Sequence, residues 1–241
     1  MYSDAAAAAL YDVLNPWARS DEFYLRLVLA APSAIDIGCG TGQILERARS
    51  SGHTGRLTGL DPDPAMLDVA RQRTGADAIE WVAGPAASMD WQAQFQLAIM
   101  TGHAFQCLVT DEEVSQSLTA IRHALTAGGQ FAFETRNPAC RAWESWATAD
   151  AEEAVDPSGR PVRVSHQVES VDGGVVTLTE TTSDAAGTRL RVDRAQLRFL
   201  EPAQLAGFLA RAGFTIEAQY GDWEAAPLTS ASTEIITIAR A

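Results

Sequence analysis

The stretch A-I-D-I-G-C-G-T-G-Q-I, residues 34–44, limits the folds open to this chain more than any other. A short apolar strand runs into glycines 38, 40 and 42, and a helix follows. Glycine carries no Cβ, so the backbone can turn sharply and a ligand can come close. The helix behind the turn begins with N–H groups that have no partner inside it. Strand, glycine turn and helix suit the carboxyl end of a parallel sheet, where open α/β folds hold their ligands. Asp36, Gly38, Cys39, Gly40 and Gly42 are therefore candidate ligand contacts.

Spacing narrows the ligand. A dinucleotide fingerprint reads G-x-G-x-x-G. Here the order is G-x-G-x-G, with Gln43 where the third glycine of that pattern would stand. The spacing disfavours a dinucleotide oxidoreductase. The stretch D-I-G-C-G-T-G instead resembles the first motif of class I S-adenosylmethionine (SAM) dependent methyltransferases. The resemblance implies that Asp36 sits near the methionine part of SAM and that the glycine loop wraps its sugar and amino-acid portions. It covers residues 34–135 strongly and 202–241 loosely. It implies a doubly wound, mostly parallel seven-stranded sheet with an antiparallel last strand, and S-adenosylhomocysteine as product.

A second strand over 57–60 ends at Asp61, followed by P-D-P. A carboxylate there accepts hydrogen bonds from two vicinal ribose hydroxyls, and it matches the family's second motif. Asp63 is a good helix N-cap and Pro64 a good first helical residue. Pro62 and Met66 belong to the same candidate cofactor wall. The third strand, 78–82, leads to Gly84, Pro85 and Ala86. Many relatives carry an Asp at the Pro85 position to bond the adenine amino group. Its loss leaves that contact to Ser88, Asp90 or backbone N–H groups.

The fourth strand, 96–100, opens into Thr101-Gly102-His103-Ala104-Phe105. A loop after a fourth parallel strand faces the ligand crevice. Thr101 is a candidate cofactor contact, His103 a candidate base and Phe105 a candidate pocket wall. T-D-E-E at 110–113 is a capping box, and its helix is expected to run past Leu125 until Gly128-Gly129 stops it. A fifth strand over 131–134 puts Arg136 on the crevice side. Strands over 214–220 and 234–239 complete the sheet as antiparallel neighbours, with Trp223 on the connecting link. Leading helices fill residues 1–33. In related methyltransferases such a helix closes over the cofactor, which makes Tyr11, Trp17 and Tyr24 candidates to touch it.

Residues 139–200 are too long for a plain loop. They read as an inserted helix and a three-stranded antiparallel meander, a substrate cap on a domain formed by 1–138 and 201–241. Trp143 and Trp146 share a helix face. The meander strands are expected over 162–171, 175–182 and 188–196, with Asp172-Gly173-Gly174 as a three-residue turn. Alternation assigns Val162, Val164, Val168, Val176, Leu178, Leu190 and Val192 to a covered face. The same assignment leaves Thr177, Arg189 and Arg191 on a solvated one. With that turn, His166 lies opposite Glu180 on the covered face, with Arg194 beside them. The pair is a candidate catalytic dyad if this face roofs the site.

Composition bounds the rest. All 18 basic residues are arginine, which excludes lysine Schiff-base chemistry. The net charge of −13 opposes binding to phosphate backbones. Three isolated cysteines and four scattered histidines give no metal-ligand spacing. No run approaches the roughly 20 apolar residues that span a bilayer. The alanine run at 5–9 has no basic residue before it and makes a poor signal peptide, so a cytoplasmic location is expected. The expected activity is methyl transfer from SAM to a small-molecule acceptor, with Arg136 or Arg194 placed to hold a carboxylate. No nucleic acid or membrane partner is expected, and a homodimer is possible. An RNA or protein methyltransferase and a catalytically silent SAM-binding subunit are the alternatives.

Overall fold

The computed structural model describes residues 5–241; the part of the leading segment before residue 5 lies outside them. Two helices open the chain, α1 (Ala5–Leu14) and α2 (Arg19–Ala30), separated at Asn15-Pro16. A Pro ring disfavours helical geometry in the residue before it, so the break falls where the sequence puts it. β1 (Ser33–Ile37), α3 (Gln43–Ser50), β2 (Arg56–Asp61), α4 (Pro64–Ala70), β3 (Glu80–Ala83) and β4 (Phe95–Met100) then alternate. Asp63 caps α4 by accepting from Ala65 N at 2.9 Å, with Pro64 at the first turn. Ala78, expected as the start of the third strand, instead ends a 3-10 turn over residues 76–78, and the strand has only four residues.

α5 (Asp111–Ala124) carries the expected capping box at Thr110 and Glu113. It ends at Ala124, and β5 (Leu125–Arg136) starts at the next residue. The expectation that Gly128-Gly129 stops this helix is corrected: both glycines lie inside β5. The pairing with β4 slips there, from Phe95 opposite Leu125 to Leu97 opposite Gln130. Leu125 is 2% exposed and packs as strand core.

After the excursion of residues 139–200, α7 (Pro202–Arg211), β10 (Thr215–Tyr220) and β11 (Glu234–Arg240) complete the sheet; the intervening elements are named below. The seven strands run in the order β10-β11-β5-β4-β1-β2-β3. β11 is antiparallel to both β5 and β10, as expected of the last strand. This matters for the site. The parallel strands present their carboxyl ends at one edge, and β11 presents its amino end there. Its register partner for Arg136 is Glu234. The sheet is buried on both faces, with Phe131, Phe133 and Ile235 in one layer of core and Leu57, Leu97 and Ile236 in the other.

The excursion contains a short helix, α6 (Ala142–Trp146), and an antiparallel sheet of four strands rather than three. They are β6 (Glu152–Val155), β7 (Pro161–Asp172), β8 (Val175–Asp184) and β9 (Arg189–Arg198). β6 escaped the sequence pattern because E-E-A-V is short and half acidic. Trp143 and Trp146 do share a face, and both rings meet Phe199.

The β7–β8 hairpin differs from expectation in an instructive way. Asp172 pairs with Val175, so the turn has two residues, Gly173 and Gly174, not three. A bulge between Val168 and Ser170 supplies the opposite shift. The two cancel, and His166 sits opposite Glu180 as expected. β9 is inverted relative to expectation. Thr181 pairs with Val192 and Thr179 with Arg194, which places both on the face away from His166. Val192 and Leu190 are exposed, at 54% and 39%. Arg191 pairs with Thr182 on the covered face instead, and Thr177 is buried. The bulge between Thr182 and Ser183 explains the inversion, because a one-residue slip exchanges the faces of a strand.

Candidate active site

A cavity of about 320 Å³ opens at the carboxyl ends of β1, β4 and β5. Its floor comes from the glycine loop, through Asp36, Gly38, Cys39 and Gly40. The loop after β4 adds Thr101 and His103, and α1 adds Tyr11. Glu134 and Arg136 from β5, Glu234 from β11 and Trp223 close the far side.

The three glycines do different things. All have positive φ. A Cβ on Gly42 would meet Trp81 at 2.4 Å, and one on Gly38 would meet Ala104 at 2.9 Å. Both are therefore packing glycines. A Cβ on Gly40 would find nothing nearer than Tyr11 at 4.0 Å. Gly40 is the one whose bare surface faces the cavity. Its N–H donates to Asp61 Oδ2 at 2.8 Å, and the other oxygen of that carboxylate accepts from Asp63 N at 2.8 Å. Asp61 thus sets the loop, and it does not itself line the cavity.

Asp36 is 2% exposed, and its Oδ1 has no hydrogen-bond partner. Burial first, then the carboxylates of Asp61, Glu134 and Asp21, push its pKa up to about 8. Tyr11 is pushed up to about 12, mainly by burial.

His103 stands in the left-handed region at φ 60, a conformation that favours residues able to tolerate it. Its backbone N–H donates to Glu134 Oε1 at 2.8 Å, and its Nε2 meets Glu234 Oε2 at 2.9 Å. A carboxylate partner takes the N–H of that nitrogen, which leaves Nδ1 as the acceptor. Glu134 also accepts from the buried Tyr24 hydroxyl, and burial raises its pKa. These two acids were missed as site residues. Glu134 had one signal, a charge at the end of the apolar run F-A-F-E. Glu234 also had one, since the expected antiparallel last strand begins at that residue and so brings it to the crevice edge.

Asp12 was missed as well. It accepts from Thr41 Oγ1 at 2.5 Å and Gln43 Nε2 at 2.8 Å, and pairs with Arg73. This network fastens α1 to the glycine loop.

Other expected contacts lie elsewhere. Phe105 is buried and stacked on Phe133 in the core. Trp143 packs on Phe199 and does not line the cavity. Arg194 is corrected outright: it is on the outer face of its sheet and pairs with Glu169 at 2.8 Å. His166 and Glu180 do meet, at 3.1 Å, but neither lines the cavity. Pro62, Met66, Gly84, Pro85 and Ala86 lie beyond its edge, and Ser88 Oγ donates to Pro85 O at 2.8 Å. Among the described residues no group of acids, histidines and cysteines is arranged to hold a metal.

Comparison with known proteins settles the family. A model described as a methyltransferase domain matches residues 34–129. A 2-phytyl-1,4-naphtoquinone methyltransferase of Thermosynechococcus vestitus is 31% identical over 165 residues, covering 64% of this chain and 72% of that protein. The chain is a class I SAM-dependent methyltransferase. Solved structures share the fold across the whole methyltransferase. The CcbJ methyltransferase of Streptomyces caelestis aligns with a TM-score of 0.73 at 18% identity, covering 100% of this chain and 97% of that one. SAM-bound CalS10, an amino pentose methyltransferase from Micromonospora echinaspora, aligns with a TM-score of 0.71 at 22% identity, covering 96% of each chain. No helix among the described residues is long and apolar enough to cross a membrane.

Proposed function

We propose that this methyltransferase binds the amino-acid end of SAM against Asp36 and Gly40 and methylates a small polar acceptor held between His103 and Arg136. The observation that carries the reading is the single cavity that joins the glycine loop to the His103–Glu234 pair. The site fits the cofactor on two counts. Asp36 Oδ1 is buried without a partner, which suits an incoming ammonium. Gly40 leaves open the space that a side chain would fill.

Bound SAM supplies an electrophilic methyl on a sulfonium. His103 Nδ1 is the group that receives the proton of the acceptor's nitrogen or oxygen as the new bond to carbon forms. The electron pair of the broken S–C bond stays on sulfur. Glu234 holds the imidazole in that tautomer and stabilises the imidazolium. Positioning supplies much of the rate, up to about 7–11 kcal/mol.

Polarity of the wall argues for the acceptor class. The Thermosynechococcus relative is named for a phytylated quinone, and CalS10 for an amino pentose. Here the acceptor side is built from His103, Glu134, Glu234 and Arg136, which suits a polar molecule better than an isoprenoid tail. We infer that the insert of residues 139–200 caps this side. Trp146 lies over Arg136 at 5.0 Å, and the Arg198 carbonyl accepts from Gln106 beside it at 3.0 Å. His166 and Glu180 then belong to the insert's own stability.

The test is calorimetry followed by turnover. S-adenosylhomocysteine binds and NAD does not. Polar amines and alcohols, screened with SAM, yield a methylated product and S-adenosylhomocysteine in equal amounts. Binding of NAD in preference, or turnover only with an isoprenoid quinone, refutes the reading.

A further inference from the structure

We infer that the acceptor carries a carboxylate and that Arg136 is its receptor, an inference resting on the acceptor site proposed above. Arg136 closes β5, lines the cavity and is largely shielded from water. Among the described residues it forms no ion pair. Its guanidinium donates to Gln106 Oε1 at 3.0 Å, and one face lies over the Trp146 ring at 5.0 Å. Gln106 is itself fully buried, and its amide nitrogen is committed to the Arg198 carbonyl at 3.0 Å. Its oxygen is thereby fixed toward Arg136. The arginine is oriented by a neutral acceptor and an aromatic face, and most of its five donors remain.

Both acids on the same wall are already committed. Glu234, the register partner of Arg136, is bound to His103 at 2.9 Å. Glu134 accepts from Tyr24 and from His103 N. Burial draws the Arg136 pKa down from its ordinary range, and the nearby carboxylates of Glu234 and Glu134 pull it back up. A planar fork with free donors is the geometry that grips a carboxylate with two parallel hydrogen bonds.

The cofactor's own carboxylate is the other source of that chemistry, and topology argues against it. β5 is separated from β1 by β4, a displacement of about 9–10 Å at ordinary strand spacing. The glycine loop follows β1, and Asp61 ends β2, farther from β5 still. His103, after β4, lies between. Register partners such as Arg136 and Glu234 have Cβ atoms about 4.5–5.5 Å apart. The carboxylate and the nucleophile presented to His103 are therefore a few bonds apart, as in a small amino acid or hydroxy acid.

The experiment uses the full chain with and without saturating S-adenosylhomocysteine, titrated by NMR with acetate, glycine, acetamide and inorganic phosphate. Expected are saturable binding of acetate and glycine, and none of acetamide. Arg136→Met should weaken the carboxylates at least tenfold and Arg136→Lys should retain part of the binding, with melting and S-adenosylhomocysteine affinity unchanged in both. Phosphate binding in preference to carboxylates, no saturable carboxylate binding, or equal binding by Arg136→Met overturns the inference. So does a tenfold loss of S-adenosylhomocysteine affinity in Arg136→Met with 5′-methylthioadenosine unaffected, which would give the arginine to the cofactor. Failure of the wild type to bind S-adenosylhomocysteine would strike the cofactor assignment, and the titrations without it would still decide the role of Arg136.

Discussion

Binding of SAM should release a proton from Asp36. The buried carboxyl titrates at about 8, because burial and then Asp61, Glu134 and Asp21 oppose its charge. At pH 7 roughly nine in ten Asp36 side chains are then neutral, since one pH unit below a pKa is a tenfold excess of the protonated form. An ammonium brought against Oδ1 favours the carboxylate and expels that proton. Removing it at pH 7 consumes about 1.4 kcal/mol of binding energy, and a further similar amount per unit below. Affinity should therefore rise about tenfold from pH 6 to pH 7 and level off near pH 8, where the α-amino group of SAM, with a pKa of about 7.7–8.0, starts to lose its own charge. Calorimetry at pH 7 in buffers of different ionisation enthalpy should report release of roughly 0.8–0.9 proton per SAM. Asp36→Asn should abolish the release and flatten the pH dependence. A wild-type affinity that is level between pH 6 and 8, with no proton exchanged, would refute the pairing.

The same residue has a stability consequence of opposite sign. Its folded pKa exceeds the unfolded value, so ionisation destabilises the fold as pH rises toward 8. Asp36→Asn should raise the melting temperature of the cofactor-free protein at pH 7.5 and scarcely alter it at pH 4; an unchanged melting curve at pH 7.5 contradicts the burial argument. Gly42→Ala should cost about 2–4 kcal/mol in urea denaturation, because the new methyl would meet Trp81 at 2.4 Å, whereas Gly40→Ala should cost about 1 kcal/mol and act on S-adenosylhomocysteine affinity. Equal losses of stability at the two positions would dismiss the division of roles. For His166, the hydrogen bond to Glu180 raises the pKa, so stabilisation is present below the unfolded value of about 6.5 and fades as pH climbs through the folded one. His166→Gln should thus lower melting slightly at pH 6, leave it alone at pH 8.5 and spare methyl transfer; a tenfold drop in turnover would return the pair to the active site.

The parts of this molecule that local chemistry dictates were readable from the chain. Alternating glycines behind an apolar strand, Asp63-Pro64 as a cap and Thr110–Glu113 as a capping box each act within a few residues, and each is found where the sequence puts it. The sheet and its antiparallel last strand followed from the family resemblance. What escaped depends on distant partners. Glu234 enters the site only because β11 reverses direction, and Asp12 only because α1 crosses the glycine loop. Phe105 was expected in the pocket, yet stacking on Phe133 turns it into the core. Arg194 failed through a one-residue slip in β9, an event that periodicity alone does not register.

The bulge in β7 gives its hairpin a soft tip on a fixed base. A three-residue turn with a regular ladder and a two-residue turn with a bulge use the same number of residues, and both place His166 opposite Glu180. The two are isomers that differ only in where the extra residue is stored. In the bulged form the Glu169 carboxylate holds the Thr179 hydroxyl and Arg194. Amide exchange should accordingly be fast at Val171, whose side chain is exposed, and slow at Val162, Val164 and Val176, whose side chains are buried. Arg194, on the outer face of the sheet, ties down the residue at the bulge through Glu169.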